Sequence, residues 1–424
     1  YGILFLACAI DIPANVNIES LVVDVNYNFF VPVRIGHRTV ELAPGTQFWI
    51  ACPGGQLTDG QINLRADGEL MTCQGGRDII TANGRPTNYN NIACNHVPRI
   101  PQLTESYVIG KTLCERDNIA ITVTYNVNYT SVDVITICFD VNALNPVYTR
   151  EQLTRWARET VNAQPRPRFK NSMIYGAINI NNIYTNMDAI LTNLGVNLSG
   201  NTFSKGHLAP RADFLYKFQR DATFFYPNVA PQILEFNRGN WEILENAIAV
   251  ITQTGFYGDA TVLTGTLNVL NVAQNGTVAP LYLVPNTHQI PVPEYFWKFV
   301  FYPNVGVAQV FFGLNNPIPD ADQGQRFETQ ICPNVFQNIQ ADWQLGQINN
   351  NNPVRGIIYA CDVVTIIDPL IREITTNVLN EFGVTASQLS TKNLNRRYGN
   401  KNIQRKQNYS DRLNSLAQSI FLKV

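Results

Sequence analysis

The chain has 424 residues, of which 45% are hydrophobic and only 15% are charged, and its formal net charge is −1. This length is enough for two domains with sizeable cores, and the near-zero charge excludes a global positive field of the kind that steers many nucleic-acid-binding proteins. No apolar run approaches the ~20 residues of a membrane-spanning helix, so we predict no membrane association.

The cysteines and sequons indicate an exported protein. Six of the eight cysteines fall within the first 138 residues and no Cys-x-x-Cys pair occurs, which favours disulfides over zinc. We expect a stapled amino-terminal part, and the last two cysteines remain free to bridge each other. Asn-x-Ser/Thr sequons lie at Asn128, Asn197, Asn275 and Asn408. With the low charge and abundant asparagine, they favour a secreted, extracellular glycoprotein. The apolar start at 2–9 fits either the remnant of a signal segment or a first strand.

The first part of the chain, residues 1–145, is predicted to be a β-rich domain that holds six cysteines. Apolar and polar residues roughly alternate over 120–129 and 132–141, with turn residues between them, as in a β-hairpin. From 149 to 161 the apolar spacing becomes helical, and Thr149 with Gln152 has the form of a capping box. We therefore predict a helix there and a domain boundary near Pro146.

The second domain, predicted over residues 146–384, mixes helices and strands. Prolines exclude a helix at 164–170, which we expect to be an extended basic loop. Helices are predicted at about 240–251 and 370–382, and strands at 260–267, 296–302 and 307–314. Because there is no internal repeat and no βαβ regularity, the pattern predicts an α+β fold. Residues 385–424 form a basic polar tail, which we interpret as solvated, with loose attraction of a polyanion as the alternative.

His207, one of only four histidines, is the candidate catalytic residue. A single histidine is more often structural than catalytic, but polar residues follow at defined distances. Asn228 comes 21 residues later, Asn237 nine beyond it and Glu245 eight beyond that. An imidazole of pKa ~6.5 can accept a proton from water near neutral pH, and a neutral amide oxygen can bind a hard cation that keeps most of its waters.

These stretches resemble the DNA/RNA non-specific endonucleases, the ββα-metal or His-Me finger family, which includes secreted bacterial nucleases, mitochondrial endonuclease G and arthropod duplex-preferring nucleases. The matching positions are Gly206, His207, Pro210, Asp213, Asn228, Gln232, Asn237, Trp241 and Glu245. The resemblance extends more loosely from about Pro146 to Cys361 and is closest to the secreted arthropod branch. It implies a β-hairpin and a helix that grip one divalent ion, in a nuclease domain with a central antiparallel sheet and flanking helices.

The resemblance also implies a role for each residue of the catalytic centre. It makes His207 the general base, Asn237 the direct metal ligand and Glu245 an outer-shell residue that holds a water of the metal. The implied ion is Mg²⁺, with Mn²⁺ or Ca²⁺ as alternatives.

Four further residues are assigned to phosphate or substrate. The family places an arginine shortly before an aromatic residue, and either Arg166 or Arg168 fits that position. Lys205 and Asn228 are expected to bind substrate. The alternative role for Asn228 is to support the loop or the waters of the metal.

One departure from the family pattern affects this assignment, because the usual Asp-Arg before Gly-His is Ser204-Lys205 here. Loss of the acid changes how the waters of the metal are oriented, and a lysine cannot replace the bidentate contact of an arginine. We interpret this as altered tuning of an active site.

The sequence therefore predicts a secreted, non-specific, metal-dependent endonuclease that acts on DNA, in particular duplex DNA, and on RNA, leaving 5′-phosphate ends, with no obligate protein partner. A catalytically weakened nucleic-acid-binding protein on the same scaffold is the first alternative. A phosphodiesterase for small nucleotides is the second.

Overall fold

The computed structural model describes residues 7–11, 20–32, 39–53, 55–65, 68–95, 104–109, 114, 118–156, 158 and 166–389. The predicted tail beyond residue 389 and the sequon at Asn408 lie outside these ranges, as do residues 159–165.

The described residues form strands and short helices throughout. The strands are β1 (Cys8–Asp11), β2 (Leu21–Asp24), β3 (Thr39–Leu42), β4 (Gln47–Ala51), β5 (Gln56–Thr58), β6 (Glu69–Gly75), β7 (Asp78–Thr81), β8 (Pro86–Asn88), β9 (Ala93–Asn95), β10 (Thr104–Ile109), β11 (Ile119–Val127), β12 (Thr130–Asp140), β13 (Asn145–Leu153), β14 (Phe203–His207), β15 (Val229–Ile233), β16 (Ala260–Val269), β17 (Asn271–Gln274), β18 (Thr277–Pro280), β19 (Tyr282–Val284), β20 (Gln289–Pro291), β21 (Pro293–Tyr302), β22 (Val307–Leu314) and β23 (Ile358–Cys361). The α-helices are α1 (Ile180–Thr185), α2 (Met187–Asn193), α3 (Lys217–Ala222), α4 (Leu234–Phe236), α5 (Glu242–Gln253), α6 (Gln323–Gln330), α7 (Phe336–Ile339) and α8 (Pro369–Glu381).

An eight-stranded antiparallel sheet, called the main sheet below, organises the molecule. Its strand order is β10, β11, β12, β13, β16, β21, β22 and β23. The hairpin predicted around 128–131 is β11 with β12, and Asn128 and Tyr129 turn between them with positive φ. The predicted strands 260–267, 296–302 and 307–314 are confirmed as β16, β21 and β22.

The helix predicted from Thr149 is wrong up to residue 153, because β13 occupies this stretch. Strand β13 pairs with β12 on one side and with β16 on the other, so its backbone groups are bonded at both edges. Thr149 lies opposite Thr264 in the sheet and caps no helix. Pairing on both sides outweighs a local helical pattern. The main sheet consequently runs across the boundary that the sequence placed near Pro146.

Side chains alternate along β21 and supply the cores on both faces of the main sheet. Phe296 and Val300 face a core that includes Leu244 and Ile248 of α5. Trp297 and Phe299 face a second core that includes residues of α6 and α8. The predicted helices 240–251 and 370–382 are thus confirmed as α5 and α8, and helices flank the sheet as expected for this α+β fold. None of the helices within the described ranges is long and apolar enough to cross a membrane.

Four disulfides staple the structure, in line with the expectation from cysteine spacing. The pairs are Cys8–Cys73, Cys52–Cys94, Cys114–Cys138 and Cys332–Cys361. The first two hold the β-rich front part around a five-stranded sheet of β2, β4, β6, β7 and β8. This part packs against the remainder through Trp156, whose indole donates to the carbonyl of Pro32 (2.8 Å), and Tyr216, whose hydroxyl donates to that of Phe30 (2.6 Å).

Candidate active site

A two-stranded antiparallel hairpin, β14 with β15, carries the predicted catalytic histidine. Its register pairs Ser204 with Gln232 and His207 with Val229. Because side chains alternate along a strand, Lys205 and His207 share one face of β14, and Ser204 and Gly206 share the other. His207 is the last residue of the strand.

Steric packing within the hairpin requires the glycine before His207. A Cβ atom at Gly206 would lie 2.5 Å from Oε1 of Gln232 and 3.1 Å from the carbonyl oxygen of Ala230. Both atoms belong to the paired strand, so a side chain here would push β14 and β15 apart. Gln232 itself is fully buried, and neither atom of its amide has a hydrogen-bond partner among the described residues.

The imidazole of His207 packs against two aromatic rings and remains neutral at physiological pH. The ring centroids of Phe169 and Phe224 lie 5.2 and 5.0 Å from it. Burial, followed by the positive charges of Arg166 and Arg211, lowers the pKa of His207 to about 4.

The hydrogen bonding of His207 identifies its basic nitrogen. A hydrogen bond with the backbone of Lys205 partly opposes the fall in pKa of the ring. The Nε2 atom is buried and has no partner in the part of the chain that the structure describes. The bond to the backbone therefore belongs to Nδ1, and Nε2 carries the lone pair.

Lys205 lies beside His207 on the same face and is held by aromatic side chains. Its ammonium lies 5.0 Å from the ring centroid of Phe169 and 5.2 Å from that of Tyr226. It donates a hydrogen bond to the Tyr226 hydroxyl (3.1 Å), which in turn donates to Oδ1 of Asn181 (2.7 Å). Desolvation lowers the pKa of Lys205. These contacts fix a positive charge two residues before the base.

Asn237 begins the segment Asn237–Trp241, which joins α4 to α5 and in which two helices meet across a kink. The backbone leaves the helical region at Gly239, where a Cβ atom would lie 2.9 Å from the carbonyl oxygen of Arg355. The Nδ2 atom of Asn237 donates to Oγ of Ser204 (3.0 Å), so the helical segment is tied directly to the hairpin.

Asn240 and Trp241 anchor this segment to its surroundings. The buried amide of Asn240 donates to the carbonyls of Asn349 (3.0 Å) and Gly356 (2.6 Å) and accepts from the backbone N–H of Asn349 (3.1 Å). Trp241 packs against Phe296 of the main sheet with 6.0 Å between ring centroids. The position of Asn237 therefore depends on the sheet beneath it.

Glu245 lies on α5 and is clamped by an arginine that the sequence analysis did not identify. Nη2 of Arg158 lies 2.7 Å from Oε2 of Glu245, and Nη1 donates to Oδ1 of Asn246 (2.6 Å). The Nε atom of the same guanidinium is 3.4 Å from Oδ1 of Asp213. All three charged side chains are at most 15% exposed. Arg158 thus links α5 to the turn after β14, in which Asp213 lies.

The same charge network continues into the main sheet. Glu151 of β13 is buried, and its two oxygens have no hydrogen-bond partner within the described ranges. Burial and then the charge of Asp213 raise its pKa well above the usual range, whereas Lys298 opposes the rise. Burial likewise raises the pKa of Asp213 to about 6, which Arg158 opposes. No motif in the sequence marked Glu151 or Lys298, because their proximity arises from pairing of distant strands.

The hydrogen bonds of Asn228 favour support of the loop over the contact with substrate that was expected from the sequence. Its side chain is fully buried. The Nδ2 atom donates to the carbonyls of Ala209 and Thr223 (3.0 Å each), and Oδ1 accepts from the N–H of Ala209 (3.0 Å). Both donors of the amide and one of the two acceptor sites on its oxygen are used by backbone, and the side chain is fully buried, so the amide is poorly placed to bind a ligand.

The electrostatics distinguish the two candidate arginines before Phe169. Both Arg166 and Arg168 are exposed. The charge of Arg166 contributes to the lowered pKa of His207 and opposes the raised pKa of Glu242, at the start of α5. Arg168 contributes to neither. Arg166 is therefore the arginine that lies near both the base and the helix.

The donor set determines which metal ion could bind here. Within the described ranges, no group of three or more His, Cys, Asp or Glu side chains is arranged to hold a metal ion. The amide oxygen of Asn237 is a ligand of the kind that Mg²⁺ prefers, and Mg²⁺ keeps several waters and needs few protein ligands. The residues present fit such a hydrated hard cation and do not fit Zn²⁺, which needs clustered nitrogen and sulfur ligands.

A hairpin that ends in a neutral histidine, followed by two helices joined at an asparagine that is tied to that hairpin, is the arrangement of a nuclease of the ββα-metal class. The family model of the DNA/RNA non-specific endonucleases matches residues 116–365, more than half of the chain. The chain therefore belongs to the DNA/RNA non-specific endonuclease family and is an endonuclease.

Three proteins and one solved structure are similar to this chain. A salivary endonuclease of Lutzomyia longipalpis is 29% identical over 73% of this chain and 72% of its own length. Salivary protein Tsal1 of Glossina morsitans morsitans is 30% identical over 34% of this chain and 37% of its own. Mitochondrial endonuclease G of Homo sapiens is 29% identical over 31% and 45%, respectively. A solved endonuclease G in complex with the inhibitor EndoGI overlaps 61% of this chain and 86% of that chain, at 20% identity and a TM-score of 0.33.

Proposed function

We propose that this chain is a secreted endonuclease that hydrolyses phosphodiester bonds of DNA, in particular duplex DNA, and of RNA, leaving 5′-phosphate ends. The observation that carries the proposal is His207, whose Nε2 lone pair has no partner among the described residues and whose ring is neutral at physiological pH. A neutral imidazole in this state can accept the proton of an attacking water.

The cations around His207 support the choice of a phosphodiester as substrate. Arg166 and Arg211 both act electrostatically on the imidazole, and Lys205 is held two residues away on the same face. Positive groups fixed before the reaction stabilise the negative charge that develops on the phosphate oxygens. A bound phosphate would also counter these cations, so the pKa of His207 should rise towards neutrality in the complex.

Asn237 is the residue that would hold the metal, with Mg²⁺ as the proposed ion and Mn²⁺ or Ca²⁺ as alternatives. The ion would supply electrostatic stabilisation of the phosphorane-like transition state and of the departing 3′ oxygen. Glu245 and its partner Arg158 keep the start of α5 in place relative to the hairpin.

Secretion is supported by four disulfides, which persist in oxidising compartments. The sequons at Asn197 and Asn275 lie at exposed turns, where a glycan has room. Both relatives with "salivary" in their names point in the same direction.

Cleavage of supercoiled plasmid tests the activity. We expect nicking and fragmentation with Mg²⁺, none with a chelator, and strongly slowed cleavage by H207A. H288A is the matched control, because His288 is exposed and lies at a surface turn. Products that a ligase joins without prior phosphorylation would support 5′-phosphate ends. Parallel gels with duplex DNA, single-stranded DNA and duplex RNA give the substrate preference.

Two results would replace this proposal by another function. Binding of DNA without cleavage by wild type, H207A and the chelated protein alike would favour a nucleic-acid-binding protein that has lost catalysis, as the Ser204-Lys205 departure allows. Faster hydrolysis of dinucleotides than of polymers would favour a phosphodiesterase for small nucleotides.

A further inference from the structure

Ser204 lies at the centre of a chain of hydrogen bonds between the hairpin and the helical segment. Its Oγ donates to the carbonyl oxygen of Gln232, at 3.0 Å, across the β14–β15 pair. The same Oγ accepts a hydrogen bond from Nδ2 of Asn237, at 3.0 Å. Ser204 occupies the position at which the family usually has an aspartate. The function of the serine at this position is therefore an open question.

This chain of bonds determines which way the amide of Asn237 faces. A serine hydroxyl has a single proton to donate, and here the carbonyl of Gln232 receives it. Towards Asn237, Oγ can act only as an acceptor, so Asn237 must present its NH₂ group to Ser204. The amide oxygen then faces away from Ser204, has no hydrogen bond among the described residues, and can accept a ligand.

We propose that Ser204 is a positioning residue, which holds the side-chain amide of Asn237 with its oxygen turned towards the metal ion. The proposal rests on the proposed function, since it takes Asn237 as the metal ligand. Without the acceptor at position 204, the amide can rotate by half a turn and present nitrogen, which does not bind a cation. Groups that orient metal ligands commonly contribute 10- to 100-fold to metal affinity.

The neighbouring strand adds a reason why this one bond matters. Gln232 is opposite Ser204 in the register, but its own amide has no hydrogen-bond partner among the described residues. Only its backbone carbonyl takes part in the chain of bonds. Among the described residues, the hydroxyl of Ser204 is thus the group that hydrogen-bonds to the side-chain amide of Asn237.

The cleanest test compares S204T with S204V, which have nearly the same shape and differ in the hydroxyl. Binding of Mn²⁺ is measured by the electron paramagnetic resonance signal of the free ion, without substrate, after thermal unfolding has shown that both variants are folded. We expect S204T to bind within a few-fold of wild type and S204V to bind about 10- to 100-fold more weakly. S204D, which keeps an acceptor but cannot donate to Gln232, should resemble S204T in Mn²⁺ affinity. S387A is the control, because Ser387 is an exposed serine whose hydroxyl contacts only a local hydroxyl, that of Thr385.

N237A separates failure of this inference from failure of the proposed function. If N237A abolishes Mn²⁺ binding while S204V and S204T bind equally well, Ser204 has no positioning role, although the metal site stands. If N237A binds Mn²⁺ like wild type, Asn237 is not the ligand and both proposals are lost. A matching rise in the Mg²⁺ concentration needed for half-maximal cleavage by S204V, with an unchanged rate at saturation, would support positioning.

Discussion

Replacement of Arg158 by alanine tests whether the buried charge network holds the active-site helix. The guanidinium contacts Glu245 at 2.7 Å, Asn246 at 2.6 Å and Asp213 at 3.4 Å. Removing one partner of a buried ion pair leaves uncompensated charge in a medium that solvates it poorly and costs about 3–5 kcal/mol. We expect R158A to lose stability in this range. R150A removes an arginine whose partner Glu381 is 46% exposed, and such surface pairs contribute about 0–1 kcal/mol.

The loss of stability in R158A should depend on pH in a defined direction. Burial already raises the pKa of Asp213, and Arg158 opposes that rise, so the pKa of Asp213 in the folded variant should rise further. A carboxyl group whose pKa is higher in the folded than in the unfolded state stabilises the fold at low pH, and this contribution is lost as pH rises through the folded pKa. The deficit of R158A relative to wild type should therefore be largest near pH 8 and smaller near pH 5.

Urea unfolding followed by circular dichroism at pH 5, 6, 7 and 8 measures both effects. R158K keeps a charge but loses the fork that contacts three side chains, so an intermediate stability is expected. If R158A loses no more stability than R150A, or if its deficit grows as pH falls, the network does not support the fold as described.

Three further substitutions examine the site itself. H207A should lower kcat about 10²- to 10⁴-fold. Because the pKa of His207 is lowered to about 4, the fall of wild-type kcat/KM on the acidic side should lie below pH 6. A fall centred near pH 6.5 would contradict the burial of the ring. G206A should lose about 1–3 kcal/mol of unfolding free energy by overpacking against Gln232. Thermal unfolding measures this beside the control G324A, where a Cβ would meet nothing within 4 Å. Equal stabilities of the two variants would refute the steric argument. N228A should lose about 3 kcal/mol of unfolding free energy through three buried hydrogen bonds, while its KM for DNA stays unchanged below its unfolding temperature. N193A, at an exposed helix end, is the control. A raised KM in a stable N228A would restore the substrate role.

The candidate catalytic centre could be proposed from the sequence because its residues lie close together in the chain. His207, Asn237 and Glu245 fall within one hairpin and the helix that follows it, and local order keeps their spacing readable. The same holds for the β11–β12 hairpin, where period-two alternation and turn residues coincide. In both cases the pattern and the structure it predicts involve the same few residues.

The residues that support the centre could not be predicted in this way. Arg158 falls in a stretch that the sequence assigned to a helix, and nothing in its spacing separated it from the other basic residues nearby. Glu151 and Lys298 lie on β13 and β21, which are brought close together because β16 lies between them and pairs with both. The misassigned helix at Thr149 has the same origin, since a strand bonded at both edges is stabilised by partners more than a hundred residues away.

The electrostatics of the site depend on both local and distant residues. Glu245 is set on its helix by local sequence, but the charge that balances it comes from Arg158, and the carboxylates of Asp213 and Glu151 lie in the same buried network. Three acidic side chains and two buried cations, Arg158 and Lys298, meet in this network, so the acids outnumber the cations by one. That excess is kept tolerable by raised carboxyl pKa values, so the network is least strained when one acid holds a proton. A change that removes Arg158 therefore acts on the position of α5 before it acts on the chemistry at His207.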